Sequence, residues 1–168
     1  MSIITAGWAA LNGAVLVGMT WFGISNFDQA YAIEQVYLMS DKEKECLREN
    51  IYWESRSQSN MGQLAVANVT LNRVDDPAYP DTICEVVYQP KQFSWTNNEV
   101  EYNLDNKLEK EAWISAYYNA YFALIEHELN IEDFTKGALM FHADYVDPYW
   151  SASYNKTVKI DNHIFYTR

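Results

Sequence analysis

Residues 40–58 read SDKEKECLRENIYWESRSQ, and the way this stretch folds decides where an isolated carboxylate, Glu54, comes to lie. Ser40 and Glu43 have the spacing of a capping box, in which the Ser40 hydroxyl meets the Glu43 amide and Glu43 reaches back. A helix begun there runs to about Ser57. Leu47, Ile51 and Glu54 then stand at i, i+4 and i+7, so the carboxylate shares the stripe that faces the core. Burial penalises the ionised form, and a Glu in that position is expected to hold a transferable proton near neutral pH. The competing reading is a Glu54 ion pair with a buried arginine, Arg56 or Arg73.

Downstream, residues 61–73 (MGQLAVANVTLNR) predict a second helix capped by Asn60, with Leu64, Ala67 and Leu71 on one face. The turn cluster 75–81 ends it. Thr82 caps a short helix over 83–88, a loop carries Gln92 to Asn98, and Trp113, Tyr117, Ala120, Tyr121 and Leu124 give helical spacing to 108–129. Near the end the period changes. Val158 and Ile160 alternate, Asp161-Asn162 suits a tight turn, and Ile164 and Tyr166 alternate back; with 138–145 as a third strand this makes a small antiparallel sheet beside a helical lobe.

Length, 168 residues, allows one folded domain, and an apolar share of 49% argues against disorder. A formal charge of -11 with only 12 Lys and Arg argues against nucleic acid as a partner. Residues 1–27 carry no charged side chain, and Ile3 to Ile24 is long enough for a membrane-spanning helix, although it holds four of the six glycines. The expected organisation is a signal-anchor or signal peptide over 1–32, a linker over 33–40 and a catalytic domain over 41–168. Ala30-Tyr31-Ala32 offers a cleavage site; the alternative is an intact chain tethered to the inner membrane through residues 3–24 and released when the membrane potential collapses. A buried soluble helix is the third reading of the segment; the other two export the domain to the periplasm, where Cys46 and Cys84 are expected to form a disulfide.

The run Glu54 to Trp95, ESRSQSNMGQLAVANVTLNRVDDPAYPDTICEVVYQPKQFSW, closely resembles the SleB-type cell-wall hydrolases. Their pattern is E-A-R-G-E, then G-Q-x-A-V-A-x-V-x-L-N-R-V, then P-x-T-x-C-x-V-V-Y-Q, then Q-F-S. Gly137 to Trp150 (GALMFHADYVDPYW) and the HIFYT of 163–167 resemble the closing segment, so the likeness spans about residues 45–167. It implies a peptidoglycan lytic transglycosylase with Glu54 as its acid/base, and the expected enzyme has no metal or cofactor; the helical lobe, small sheet and partly buried Glu read as a lysozyme-like α+β fold, and residues 3–24 as an N-terminal hydrophobic helix ahead of it. The pattern's second Glu is Gln58 here, which disfavours any mechanism needing a partner nucleophile.

By the same resemblance Gln92, Phe93 and Ser94 line the cleft, while His142, Tyr145, Tyr149 and Trp150 bond to and stack on sugar rings. Asn72 and Arg73 read as scaffold. Other readings are a hydrolytic muramidase, a zinc amidase or endopeptidase using His142, Asp144 and His163, and a non-catalytic wall-binding module. The short chain and weak anchor suggest a phage endolysin.

Overall fold

A computed structural model describes residues 24–168, so all but the last residue of the expected anchor, 3–24, lies outside the described residues. Five helices and three strands follow. They are α1 (Asn26–Leu38), α2 (Asp41–Ser55), α3 (Asn60–Asp75), α4 (Ile83–Val87), α5 (Lys107–Glu128), β1 (Met140–Ala143), β2 (Asn155–Ile160) and β3 (His163–Thr167). The strands form one antiparallel sheet in the order β1-β3-β2.

The linker expected over 33–40 is instead mostly helix, because Gln29, Ala32 and Val36 recur at helical spacing and are all buried. This α1 packs on α5. Its last turn closes with the Met39 amide donating to the Gln35 carbonyl at 2.9 Å.

Helix α2 starts where the sequence puts it, but the capping box does not form. The Ser40 hydroxyl accepts from the Lys42 amide at 3.2 Å, and Glu43 turns away to accept the Cys84 amide at 3.0 Å. Its carboxylate satisfies a first-turn amide of α4 that has no partner within that helix, and not one of its own helix. The Cys46–Cys84 disulfide, with Cα atoms 5.2 Å apart, fastens the same two helices.

Helix α3 is capped by Ser59, not Asn60, through the Gly62 amide at 3.2 Å. None of residues 62–74 is exposed. Ala67 and Leu71 face a cluster with Leu47, Ile51, Tyr52, Val87, Ala120 and Leu124, whereas Ala65 and Val69 face Ala138, Ile160 and Phe165. One helix therefore carries the helical lobe on one flank and the sheet on the other.

The β2–β3 turn is locked to the start of α3. Asp161, at φ 48°, accepts from the Ser59 amide at 2.9 Å and the Ser59 hydroxyl at 2.7 Å, and Gln58 accepts from the Asn162 amide at 3.3 Å. A Cβ on Gly62 would sit 2.5 Å from Asp161 Oδ2 and 2.8 Å from Gln58 Cβ, so only glycine lets the turn approach this closely.

The disulfide closes a loop with a sequence separation of 38. Replacing Cys46 and Cys84 together by Ser is expected to lower unfolding free energy by roughly 4 kcal/mol on the loop-entropy account. Denaturant titration checks this, and an unchanged midpoint would contradict it.

Candidate active site

Glu54 occupies the last turn of α2, half-buried, one residue before the buried Ser55. Removal from water pushes its pKa from 4.5 to about 7, and the guanidinium of Arg73 partly offsets that rise. Among the described residues Glu54 forms no hydrogen bond and no ion pair, so the competing reading of a paired carboxylate fails at both arginines. Arg56 lies over the rings of Tyr52 and Trp53, at 5.2 and 4.9 Å, and 3.7 Å from Glu109.

Arg73 is buried and acts at a distance. Its Nε donates to the Leu139 carbonyl at 2.8 Å, Nη2 meets Met140 Sδ at 3.7 Å, and the guanidinium lies between the rings of Tyr79 (5.4 Å) and Phe93 (5.2 Å). The Arg73 side chain therefore joins the end of α3 to β1 and to the 92–94 block. Desolvation lowers its pKa from the ordinary arginine value, with Tyr79 and Glu54 opposing. Its role as scaffold is as the sequence suggests, though its charge reaches the acid.

The 92–94 block splits. Phe93 is in the core, under Arg73 and 6.5 Å from Phe141, so it is removed from any contact with sugar. An apolar ring between lobe and sheet gains more from burial than from a wet cleft. Gln92 is half-buried and Ser94 exposed.

The following residue, Trp95, escaped the sequence reading. Its Nε1 donates to Asn50 Oδ1 at 3.2 Å, and its ring stacks on Trp53 at 6.4 Å with planes 26° apart. Glu49 holds the same loop by accepting from Tyr88 and Tyr102, each at 2.7 Å. The signal that could have found these contacts is the polar pair Glu49-Asn50 within an otherwise core-facing stretch.

At the sheet, both ring nitrogens of the half-buried His142 have protein partners. Nδ1 lies 2.9 Å from the Ala143 carbonyl, Nε2 lies 2.9 Å from the Tyr166 hydroxyl, and the ring stacks on Tyr166. Trp150 packs edge-on to both rings. Tyr145 and Tyr149 project freely, Tyr149 at 94% exposure. The residues of the zinc reading do not converge: Asp144 pairs with Lys159 at 2.6 Å, and His163 packs with Phe141 and Phe165 on the face opposite His142. Among the described residues no group of three or more His, Cys, Asp or Glu could hold a metal ion.

A second perturbed carboxyl was not foreseen. Burial pushes Glu126 of α5 to about 6, in a cavity shared with Asn68, Asp75, His127 and Asp133.

A helical lobe beside a three-stranded antiparallel sheet defines a mostly helical, lysozyme-like α+β fold. The family described as Cell Wall Hydrolase matches residues 57–166, well over half of the chain. The chain belongs to this family of enzymes, with Glu54 just ahead of the matched residues. It is 29% identical over 142 residues to a spore cortex-lytic enzyme of Bacillus cereus, covering 84% of this chain and 47% of that protein. To the spore cortex-lytic enzyme of Halalkalibacterium halodurans it is 28% identical, covering 84% and 39%. The chain thus spans about half or less of the curated relatives it matches. Among solved structures it is similar to the catalytic domain of the germination-specific lytic transglycosylase SleB from Bacillus anthracis, at a TM-score of 0.58, 28% identity and coverage of 77% and 98%. The SleB catalytic domain of Bacillus cereus gives a TM-score of 0.54 at 28% identity, covering 77% and 94%.

Glu54's raised pKa also makes a stability statement. The folded chain holds the Glu54 proton more tightly than the unfolded chain does, so this group lowers stability as pH rises from 4.5 towards about 7. Glu54→Gln should therefore melt higher than the parent at about pH 8 and show little gain at about pH 4. A melting difference that does not grow with pH would contradict the burial.

Proposed function

We propose that this chain is a peptidoglycan lytic transglycosylase in which Glu54 alone serves as acid and base. The observation that carries the proposal is a desolvated carboxyl, held near pH 7, on which Arg73 is the one charge acting among the described residues.

Glycosidases that use a nucleophile or a water-activating base need a second carboxylate about 5–9 Å from the first. At the family pattern's second acidic position this chain has Gln58, whose side-chain oxygen accepts the Asn162 amide. One carboxyl suffices if the sugar supplies its own nucleophile. Glu54 donates its proton to the oxygen joining N-acetylmuramic acid to N-acetylglucosamine, and that C–O bond breaks. The resulting carboxylate then accepts the proton of the muramic C6 hydroxyl as O6 bonds to C1. A 1,6-anhydro end forms, and Glu54 is again protonated. A pKa near 7 suits both halves, because the same group must give and take a proton at one pH.

Tyr145, Tyr149 and Trp150 supply ring faces for sugar stacking, and Gln92 and Ser94 offer polar groups to the glycan. The Glu54 acid limits activity on the alkaline side, since turnover falls as pH rises through about 7 and the proton is lost. The uncharged segment 1–27 and the disulfide support an exported enzyme, tethered through residues 3–24 and acting in lysis as a phage endolysin.

Glu54→Gln is expected to lower turnover at least a hundredfold, the scale of general acid catalysis, while Glu126→Gln leaves it within about twofold. Turnover on purified peptidoglycan checks both, and loss at Glu126 with retention at Glu54 would transfer the assignment. Mass spectrometry of the digest should find anhydromuramic ends. Reducing muramic ends would make the enzyme a muramidase, and freed stem peptides an amidase.

A further inference from the structure

Helix α1 is apolar on two sides. Its inner face buries Gln29, Ala32 and Val36 on the domain. On the outer face Phe27, Tyr31 and Leu38 stand at i, i+4 and i+11 within one narrow sector, and they are 78%, 54% and 67% exposed. Glu34 is the one charge among them; Asp28 lies to the side, bonded to the capping Ser25. The helix has no Lys or Arg. Three large side chains aligned on the outside of a 13-residue helix form a patch and not a scatter of single exposed residues. The helix lies outside the family-matched residues 57–166.

What precedes α1 indicates what covers it. Residues 1–23 carry no charged side chain and join the helix through Ile24 and Ser25. Whatever surface the apolar segment 3–24 enters is therefore brought within two residues of Asn26. A helix that starts there is held beside that surface, and its aromatic side is the one not already occupied by the domain.

We propose that the outer face of α1 lies flat on a neutral lipid surface, in the headgroup layer of the bilayer that residues 3–24 enter; this rests on the tethered reading of the chain. Phe, Tyr and Leu on one side of a helix favour that layer, where rings meet acyl chains and the tyrosine hydroxyl stays wet. Among the described residues no helix is long and apolar enough to cross a membrane, so α1 lies in the plane of the surface and does not span it. Glu34, within the stripe, keeps the seat shallow because its carboxylate must remain hydrated. With no basic residue on the helix and a formal charge of -11 on the chain, anionic lipid repels this face and does not recruit it. The consequence is a second attachment: the domain is laid against the membrane by α1 as well as tethered to it, and its release requires both to let go.

The test uses the full chain in phosphatidylcholine vesicles, with one nitroxide on Tyr31→Cys or Leu38→Cys and a third, on Tyr149→Cys, as reference. Cys46 and Cys84 are joined, so the introduced thiol is the one labelled. Flotation reports the tether, and spin relaxation by oxygen against a water-soluble nickel complex reports the helix. Labels at 31 and 38 should favour oxygen several-fold more than the label at 149, and admixed anionic lipid should reduce that preference. A chain that floats while labels 31 and 38 behave like label 149 overturns the inference and leaves the tether standing. A chain that does not float overturns both. Labels shielded from both reagents overturn it as well, with dipolar broadening marking a second copy as the cover and its absence marking another part of the same chain.

Discussion

Everything in this domain is arranged around a helix with almost no solvent side. Residues 62–74 of α3 are without an exposed member, so the helix must be covered on both flanks, and the chain supplies a helical lobe for one and a sheet for the other. The constraint follows from the hydrophobic effect: small residues such as Ala65 and Ala67 let neighbouring elements approach closely, and the apolar area they remove from water stabilises the arrangement at roughly 25 cal/mol per Å². Where the helix has no room for even a methyl group, at Gly62, the β2–β3 turn comes close enough for Asp161 to bond Ser59.

Glu54's chemistry is a consequence of that packing. Helix α2 lies against α3, and its stripe of Leu47 and Ile51 carries the carboxyl into the same low-dielectric region. Among the described residues no donor meets it there, so desolvation prevails and the proton is retained to about pH 7. Arg73 moderates the rise without forming an ion pair. Its guanidinium is committed to Leu139, to Met140 and to two aromatic rings, and the geometry that fixes the sheet to the lobe is also the geometry that holds this charge away from the acid.

The surroundings of the acid are built from polar residues with structural work. Glu49 ties Tyr88 and Tyr102, and Asn50 ties Trp95 and Thr70, so one helical turn anchors the loop that follows α4. His142 and Tyr166 satisfy each other across β1 and β3. These residue types also serve ligands, which is why motifs alone do not reveal the partners of His142 or Trp95.

From residue 40 onward the sequence by itself determined the element order, the helix boundaries to within two or three residues, the Cys46–Cys84 pairing and the position of Glu54 on a buried stripe, because local periodicity and capping chemistry carry that information within a few residues. It misread residues 33–38 as linker, since α1's apolar positions make sense only against α5, and it read α3 as one-sided because Ala65 and Val69 acquire a partner only when the sheet returns from far along the chain. Which hydrogen bonds Glu43, Gln58 and His142 make was likewise decided by tertiary structure: each has a local or functional role that its sequence pattern suggests, and each is captured by a group 24 to more than 100 residues away. The physical reason is that a polar side chain follows whichever donor or acceptor folding leaves without water, and that is settled only when the distant segments meet.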